Sequence, residues 1–373
     1  MKSRRTLLGV VLGLAAAGVI LSLAPAQRHR LPGGTILSEC DGAIRELVIH
    51  YTPAAADVSA PIYRQFLPQL PSDVTVYAIC PDAATFEDLS GRVGALRCRL
   101  VSVPVGHAMT TWSRDRWIAL AGEGASAILL CPSGELAGEV WPDRAGDART
   151  GEDLAAAVGG VSARDGGLFF DGGDFVTDAD AAFVTPAVLR RNVQRTVRTP
   201  QELAIRLERS AGKKIILLTE APDHHGGMFM MVAGENRVIV GDPAAAKALL
   251  SSRPAGQIDA LCPPAGADFS EQTQQKFEAV ARQCQAAGRR VIRIPIVPGR
   301  DGRTYLTYLN GIIDSRDGKR TVYMPTFQGV GELNRAAADV WRSEGFDVRP
   351  IDCTSSYQHF GSLHCLVNVL RRR

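Results

Sequence analysis

Four short segments of this 373-residue chain gather side chains that can hold a cation, move a proton or attack carbon. In Trp112-Ser113-Arg114-Asp115-Arg116-Trp117, two indoles flank an Arg/Asp core. A carboxylate beside an indole face holds a flat cation, the acid through paired hydrogen bonds and the ring through cation–π contact. A surface ion pair with two half-buried aromatics is the plainer alternative. In Phe169-Phe170-Asp171-Gly172-Gly173-Asp174, two glycines separate two carboxylates. Such a pair permits a tight turn with positive φ and a close backbone approach. Asp171 follows an apolar run and is expected at a partly desolvated strand end. There its pKa rises or it orients a histidine; a simple turn is the alternative. Asp223-His224-His225-Gly226-Gly227-Met228-Phe229 carries adjacent histidines, the usual proton-transfer side chains near neutral pH. On a strand they point to opposite sides, so at most one faces a given pocket. Their spacing is poor for a metal, and no metal site is expected. Phe360-Gly361-Ser362-Leu363-His364-Cys365-Leu366-Val367 places a cysteine at the opening of an apolar strand. It is either an inert core thiol or a nucleophile activated by a neighbouring base or cation.

Alternating apolar strands and amphipathic helices must position these segments. Strands are predicted at 46–52, 74–80, 97–103, 214–219, 237–241 and 290–295, and helices at 58–70, 83–93, 201–210 and 270–287. A hairpin over 303–314 and 319–325 is followed by a helix at 330–345 and strands at 346–353 and 363–370. No long Pro/Gly/Ser-rich stretch divides this pattern. It reads as one α/β domain over 38–373, preceded by a linker at 27–37.

Composition narrows the class. Hydrophobic residues are 46% and charged residues 22%, which excludes disordered, fibrous and polytopic membrane chains. Lys2, Arg4 and Arg5 account for the whole net charge of +3, so the rest is balanced and offers nucleic acid no basic footprint. Those three cations precede an uncharged run from Leu7 to Ala24 and the small residues Ala24-Pro25-Ala26. Residues 1–26 therefore read as a signal peptide, or as an anchor in the inner membrane if uncleaved, and the body as periplasmic or extracellular. Ser3-Arg4-Arg5-Thr6-Leu7 is similar to a twin-arginine signal, with Leu where such signals favour Phe. None of the eight cysteines has CxxC spacing. An export route favours pairing, with Cys262–Cys284 the preferred bridge and two buried thiols the alternative.

Taken in order, the segments resemble the guanidino-group-modifying (pentein) superfamily, in particular the agmatine deiminase and bacterial peptidylarginine deiminase family. Trp112-Ser113-Arg114-Asp115 resembles its WxRD, Asp171-Gly172-Gly173 its E/D-G-G, and His225-Gly226-Gly227-Met228-Phe229 its H-x-D-x-F. Tyr308-Leu309-Asn310 before Met324-Pro325-Thr326-Phe327 is similar to its Y-x-N and V-x-P strand, and Gly361-Ser362-Leu363-His364-Cys365 to its G-x-x-H-C. The resemblance implies a five-bladed α/β propeller of ββαβ units and a cofactor-free guanidine hydrolase. It implies Cys365 as nucleophile, His225 as general acid/base and Asp171 as the carboxylate behind the histidine. Asp115 and Trp112 would hold the guanidinium, with Asn310 and Asp174 as further pocket residues. The implied partner is a guanidino small molecule or an arginine-containing peptide. One departure stands out: Gly227 replaces the acid of H-x-D, the second carboxylate of the substrate clamp. A non-catalytic guanidino- or peptide-binding protein and a membrane-tethered agmatine deiminase are the competing readings.

Overall fold

In the computed structural model of the protein, residues 33–133 and 144–373 are described. The leader at 1–26 lies outside them, as does most of the 27–37 linker. Residues 33–373 pack as one unit.

Among the described residues, five sheets share one connectivity. An antiparallel strand pair is followed by a helical crossover to a third strand, parallel to the second. The units are Ile118–Ala121, Ala127–Cys131 and Val161–Asp165; Phe175–Thr177, Ala181–Val184 and Lys214–Leu217; Met230–Gly234, Arg237–Asp242 and Arg290–Pro295; and Ile312–Arg316, Lys319–Thr326 and Phe346–Asp352. The fifth joins the chain's ends: Val367–Arg372 pairs antiparallel with Ile44–His50, which pairs parallel with Thr75–Cys80. Arg99–Pro104 extends this last sheet, and Thr35–Ile36 extends the first. Among the described residues, no sheet closes on itself.

The crossover helices follow ordinary start and stop signals. Asp82 accepts from Thr85 N at 2.7 Å and begins Ala83–Val93. Thr199 accepts from Glu202 N at 3.1 Å ahead of Pro200, and Gly212 ends the same helix at φ 65°. In Gly331–Ser343 the buried residues Leu333, Ala337, Ala338 and Trp341 recur at helical spacing. Met230–Gly234 is buried along its length, so it reads as an unbroken apolar run without strand alternation.

Five expectations change. Thr35–Ile36, inside the supposed linker, is a strand whose Ile36 is buried. The 303–314 arm of the hairpin is extended only from Ile312; Tyr305–Leu306 pairs instead with Val297–Pro298. No strand runs into Asp171: the strand Val161–Asp165 ends before it, and Asp171 stands ahead of the strand Phe175–Thr177. Residues 363–370 are not one strand: Leu363–Leu366 forms a helical turn and the strand begins at Val367. Asn310 causes this turn, its side-chain oxygen accepting from the backbone N–H of Ser362 (3.1 Å) and Cys365 (3.3 Å). Its carbonyl accepts from His364 N at 2.9 Å. The Cys262–Cys284 bridge is absent as well: all eight cysteines are free. The Cys262 thiol donates to the Val297 carbonyl at 3.7 Å, and burial pushes both thiols up to about 12. Among the described residues, no helix is long and apolar enough to cross a membrane.

Candidate active site

The four segments converge on one cavity of about 370 Å³, whose lining includes Trp112, Asp115, Asp171, Asp174, His225 and Cys365. Asn310 lies behind Cys365, its Nδ2 at 3.4 Å from the sulfur. The 111–117 loop is fixed to the cysteine turn by Arg114 N, which donates to the Cys365 carbonyl at 3.3 Å. It is fixed to the glycine loop by Gly172 N, which donates to the Asp115 carbonyl at 2.9 Å.

Glycine is required here for space. Neither Gly172 nor Gly173 has positive φ, contrary to the expectation for a tight turn. A Cβ on Gly173 would lie 2.6 Å from the His225 ring, and one on Gly361 would lie 2.6 Å from the Trp112 indole and 3.0 Å from Cys365 Cβ. The glycines let the indole, imidazole and cysteine approach each other.

His225 is the hub. Its Nε2 is 3.5 Å from Asp171 Oδ2, and its Nδ1 is 3.8 Å from Asp115 Oδ1. Burial opposes protonation, but Asp115, Asp171 and the nearby Cys365 sulfur outweigh it and raise the His225 pKa well above its ordinary value. Of the two expectations for Asp171, the raised pKa is not met; the carboxylate faces a histidine instead. Burial would raise its pKa, yet His225, Arg191 and Arg144 pull it far below the usual carboxylate range. Asp115 Oδ1 and His225 Nδ1 are buried, face one another and lack a hydrogen-bond partner among the described residues.

Both histidines line the cavity, because residues 224–225 form a turn before the helical turn Gly226–Met228 and not a strand. Their roles differ. His224 Nδ1 accepts from His225 N at 2.7 Å and burial lowers its pKa to about 3, so it is a neutral buttress. Asp174 is fully buried with both oxygens engaged: it accepts from Thr185 Oγ1 (2.7 Å), Asp171 N (2.8 Å) and Arg191 (2.7 Å). It shapes the loop under Asp171 and has no free edge for a ligand.

Three participants escape sequence reading. Arg191 bridges Asp171 (2.9 Å) and Asp174. Arg144 bridges Asp115 (3.0 Å) and Asp171 (3.5 Å). Glu39 pairs with Arg114 and accepts from His364 Nε2 at 3.0 Å, which holds the ring beneath Gly227. A Cβ on Gly227 would meet His364 Nδ1 at 2.9 Å and Asn310 Nδ2 at 3.3 Å, so that space is filled by other side chains. Charge alternation gave no signal for these arginines, since surface pairs look the same. Among the described residues, no group of three or more His, Cys, Asp or Glu is placed to hold a metal ion.

No family model matches the chain, and no curated protein matches it by sequence. Solved structures do match. C. jejuni agmatine deiminase superposes with a TM-score of 0.65 at 15% identity, over 91% of this chain and 97% of that one. Agmatine deiminase of Enterococcus faecalis gives 0.67 at 11% identity, over 91% and 96%. A structure assigned as a peptidyl-arginine deiminase gives 0.66 at 13% identity, over 91% and 99%. In fold, this chain resembles the agmatine deiminases and peptidyl-arginine deiminases.

Proposed function

We propose that the protein is a guanidine hydrolase that converts an arginine-type guanidinium into a ureido group and ammonia. The observation that carries this reading is the meeting of Cys365, His225, Asp115 and Asp171 on one cavity. A guanidinium carbon is electrophilic only while the group keeps its charge, so carboxylates must pin it during attack. Asp115 Oδ1, a buried acceptor without a partner, suits a substrate N–H. The Cys365 thiolate adds to the guanidinium carbon. The C–N bond breaks, and ammonia leaves with the proton held by His225. His225 then takes a proton from water, whose oxygen adds to the thiouronium carbon. The C–S bond breaks as the added hydroxyl gives up its proton to solvent, returning the Cys365 thiolate and leaving the ureido product.

In the same reading the five repeated units are blades about a central site, and Lys2 to Ala26 exports the body. Export predicts the folded protein in the extracytoplasmic fraction. Ammonia release over agmatine, free arginine, methylarginine and peptidyl-arginine tests the activity. Release from none of them, under conditions where Cys365→Ala gives the same blank, removes it.

A second reading, binding without hydrolysis, draws on Gly227: His364 and Asn310 occupy the space a second acid would need. Binding of arginine peptides without ammonia release would favour it. The fine geometry of the hydrolase is tested by Gly173→Ala, whose methyl must push the imidazole aside. Turnover is expected to fall by roughly 100-fold, the cost of misplacing a catalytic group by about 1 Å. An unchanged melting profile would separate this effect from unfolding, and turnover within twofold of wild type would contradict the proposed place of His225.

A further inference from the structure

A guanidinium already lies where the proposed substrate's would be held, and it belongs to Arg144. Its Nη1 is 3.0 Å from Asp115 Oδ2 and its Nη2 is 3.5 Å from Asp171 Oδ1. The side chain is 15% exposed and forms part of the cavity lining. A planar fork spread across two carboxylates is what an arginine-type ligand would present. Arg191 is placed differently, holding Asp171 from its other oxygen and reaching down to Asp174.

Gly227 supplies no acid, and a cation that reaches Asp115 and Asp171 meets Arg144 on both. We propose that Arg144 is a resident pseudosubstrate, which holds Asp115 and Asp171 until an external guanidinium displaces it. The proposal rests on the guanidine-hydrolase reading and adds a determinant of affinity to it.

Arg144 cannot leave by losing its proton. Burial disfavours its charge, but Asp115 and Asp171 outweigh burial and raise its pKa further. The side chain has to swing. The short helix Arg144–Asp147 that carries it is anchored at its far end, where Asp147 accepts from Thr110 N and Oγ1, each at 2.6 Å. The movement therefore belongs to the arginine side chain more than to the backbone beneath it. The apparent affinity for an external guanidinium is its intrinsic affinity scaled by the fraction of molecules with Arg144 displaced. A bare guanidinium only repeats what Arg144 offers, so ligands that make further contacts are favoured.

The test uses calorimetric binding of L-arginine amide to Cys365→Ser protein, alone and combined with Arg144→Gln or Arg144→Lys. L-lysine amide serves as a cation without the planar fork. If Arg144 is displaced in about one molecule in ten, Arg144→Gln tightens arginine amide roughly tenfold, with a smaller gain for lysine amide. Arg144→Lys, which keeps the charge without the fork, falls between and guards against misfolding of the glutamine variant. Unchanged or weaker binding of arginine amide overturns the proposal, as does an equal gain for both amides, which would reflect net charge alone. Ammonia release from the Cys365-containing parent is scored separately. Tighter binding without any release keeps the pseudosubstrate and removes the hydrolase; release without tighter binding does the reverse.

Discussion

Cys365→Ser is expected to lower ammonia release by about 10⁴-fold or more while leaving the protein folded. Removing a covalent nucleophile costs up to about 10⁶-fold in turnover where it has been dissected. The exchange leaves the helical turn intact, because that turn is held by backbone bonds to Asn310 and not by the sulfur. The parent protein gives a second readout, with the serine variant as the unlabelled control. A haloacetamidine carries a cation into the cavity and should alkylate Cys365 alone near neutral pH. Burial pushes Cys40, Cys80, Cys131, Cys262 and Cys284 up to about 12, and it also raises Cys98 and Cys353, so these remain protonated thiols. Intact-mass and peptide mapping check this. Comparable labelling of several cysteines, or turnover by the serine variant within tenfold of the parent, would end the nucleophile assignment.

His225→Gln is expected to cost about 10²- to 10⁴-fold, the range for losing a general acid/base. Its pH signature is more telling than its size. The His225 pKa is raised in the folded protein, so the stabilisation from its carboxylate partners is complete below about pH 6.5, the ordinary histidine value. It is lost as pH climbs through the raised folded value. Asp171 is depressed, so its contribution is present above about pH 4 and disappears only in strong acid. Catalysis should follow the histidine, with the alkaline limb of kcat lying well above pH 6.5, where the proton for the departing ammonia is lost. Asp171→Asn removes one of the groups that hold this proton and should move the limb downward. Profiles of kcat against pH for parent and variant check the shift, and an unmoved limb would mean that His225 titrates without Asp171.

Individual strands and helices with periodic core faces were legible, whereas the β-β-α-β unit itself came only from the family resemblance. Ala83–Val93 and Arg290–Pro295 occur over the residues predicted from apolar spacing and caps. What spacing could not give was the state of segments whose conformation depends on a distant residue. Leu363–Leu366 is as apolar as a strand, yet Asn310, more than fifty positions earlier, coils it into a turn. Thr35–Ile36 looked like linker because its pairing partner, Leu120–Ala121, is remote. The two glycines of Asp171-Gly172-Gly173-Asp174 suggested positive φ, whereas Gly173 admits the His225 ring and Gly172 the Arg114 and Trp117 carbonyls.

By itself the sequence determined the chemical inventory: a cysteine, an imidazole and carboxylates, with glycines next to Asp171 and His225, in an order that resembles guanidino-modifying enzymes. Residue type and local spacing are sufficient for that, since they record which groups the chain carries and where it can turn. Only the tertiary structure decided which groups are charged against which. Asp171 is depressed where a lone desolvated carboxylate would rise, because His225, Arg191 and Arg144 converge on it from separate elements. Asp174 is consumed by Thr185 and Arg191. The guanidinium facing Asp115 and Asp171 is the protein's own. Coulomb interactions and steric contacts depend on distances of a few ångströms between residues far apart in the chain, and those distances exist only once the units have packed.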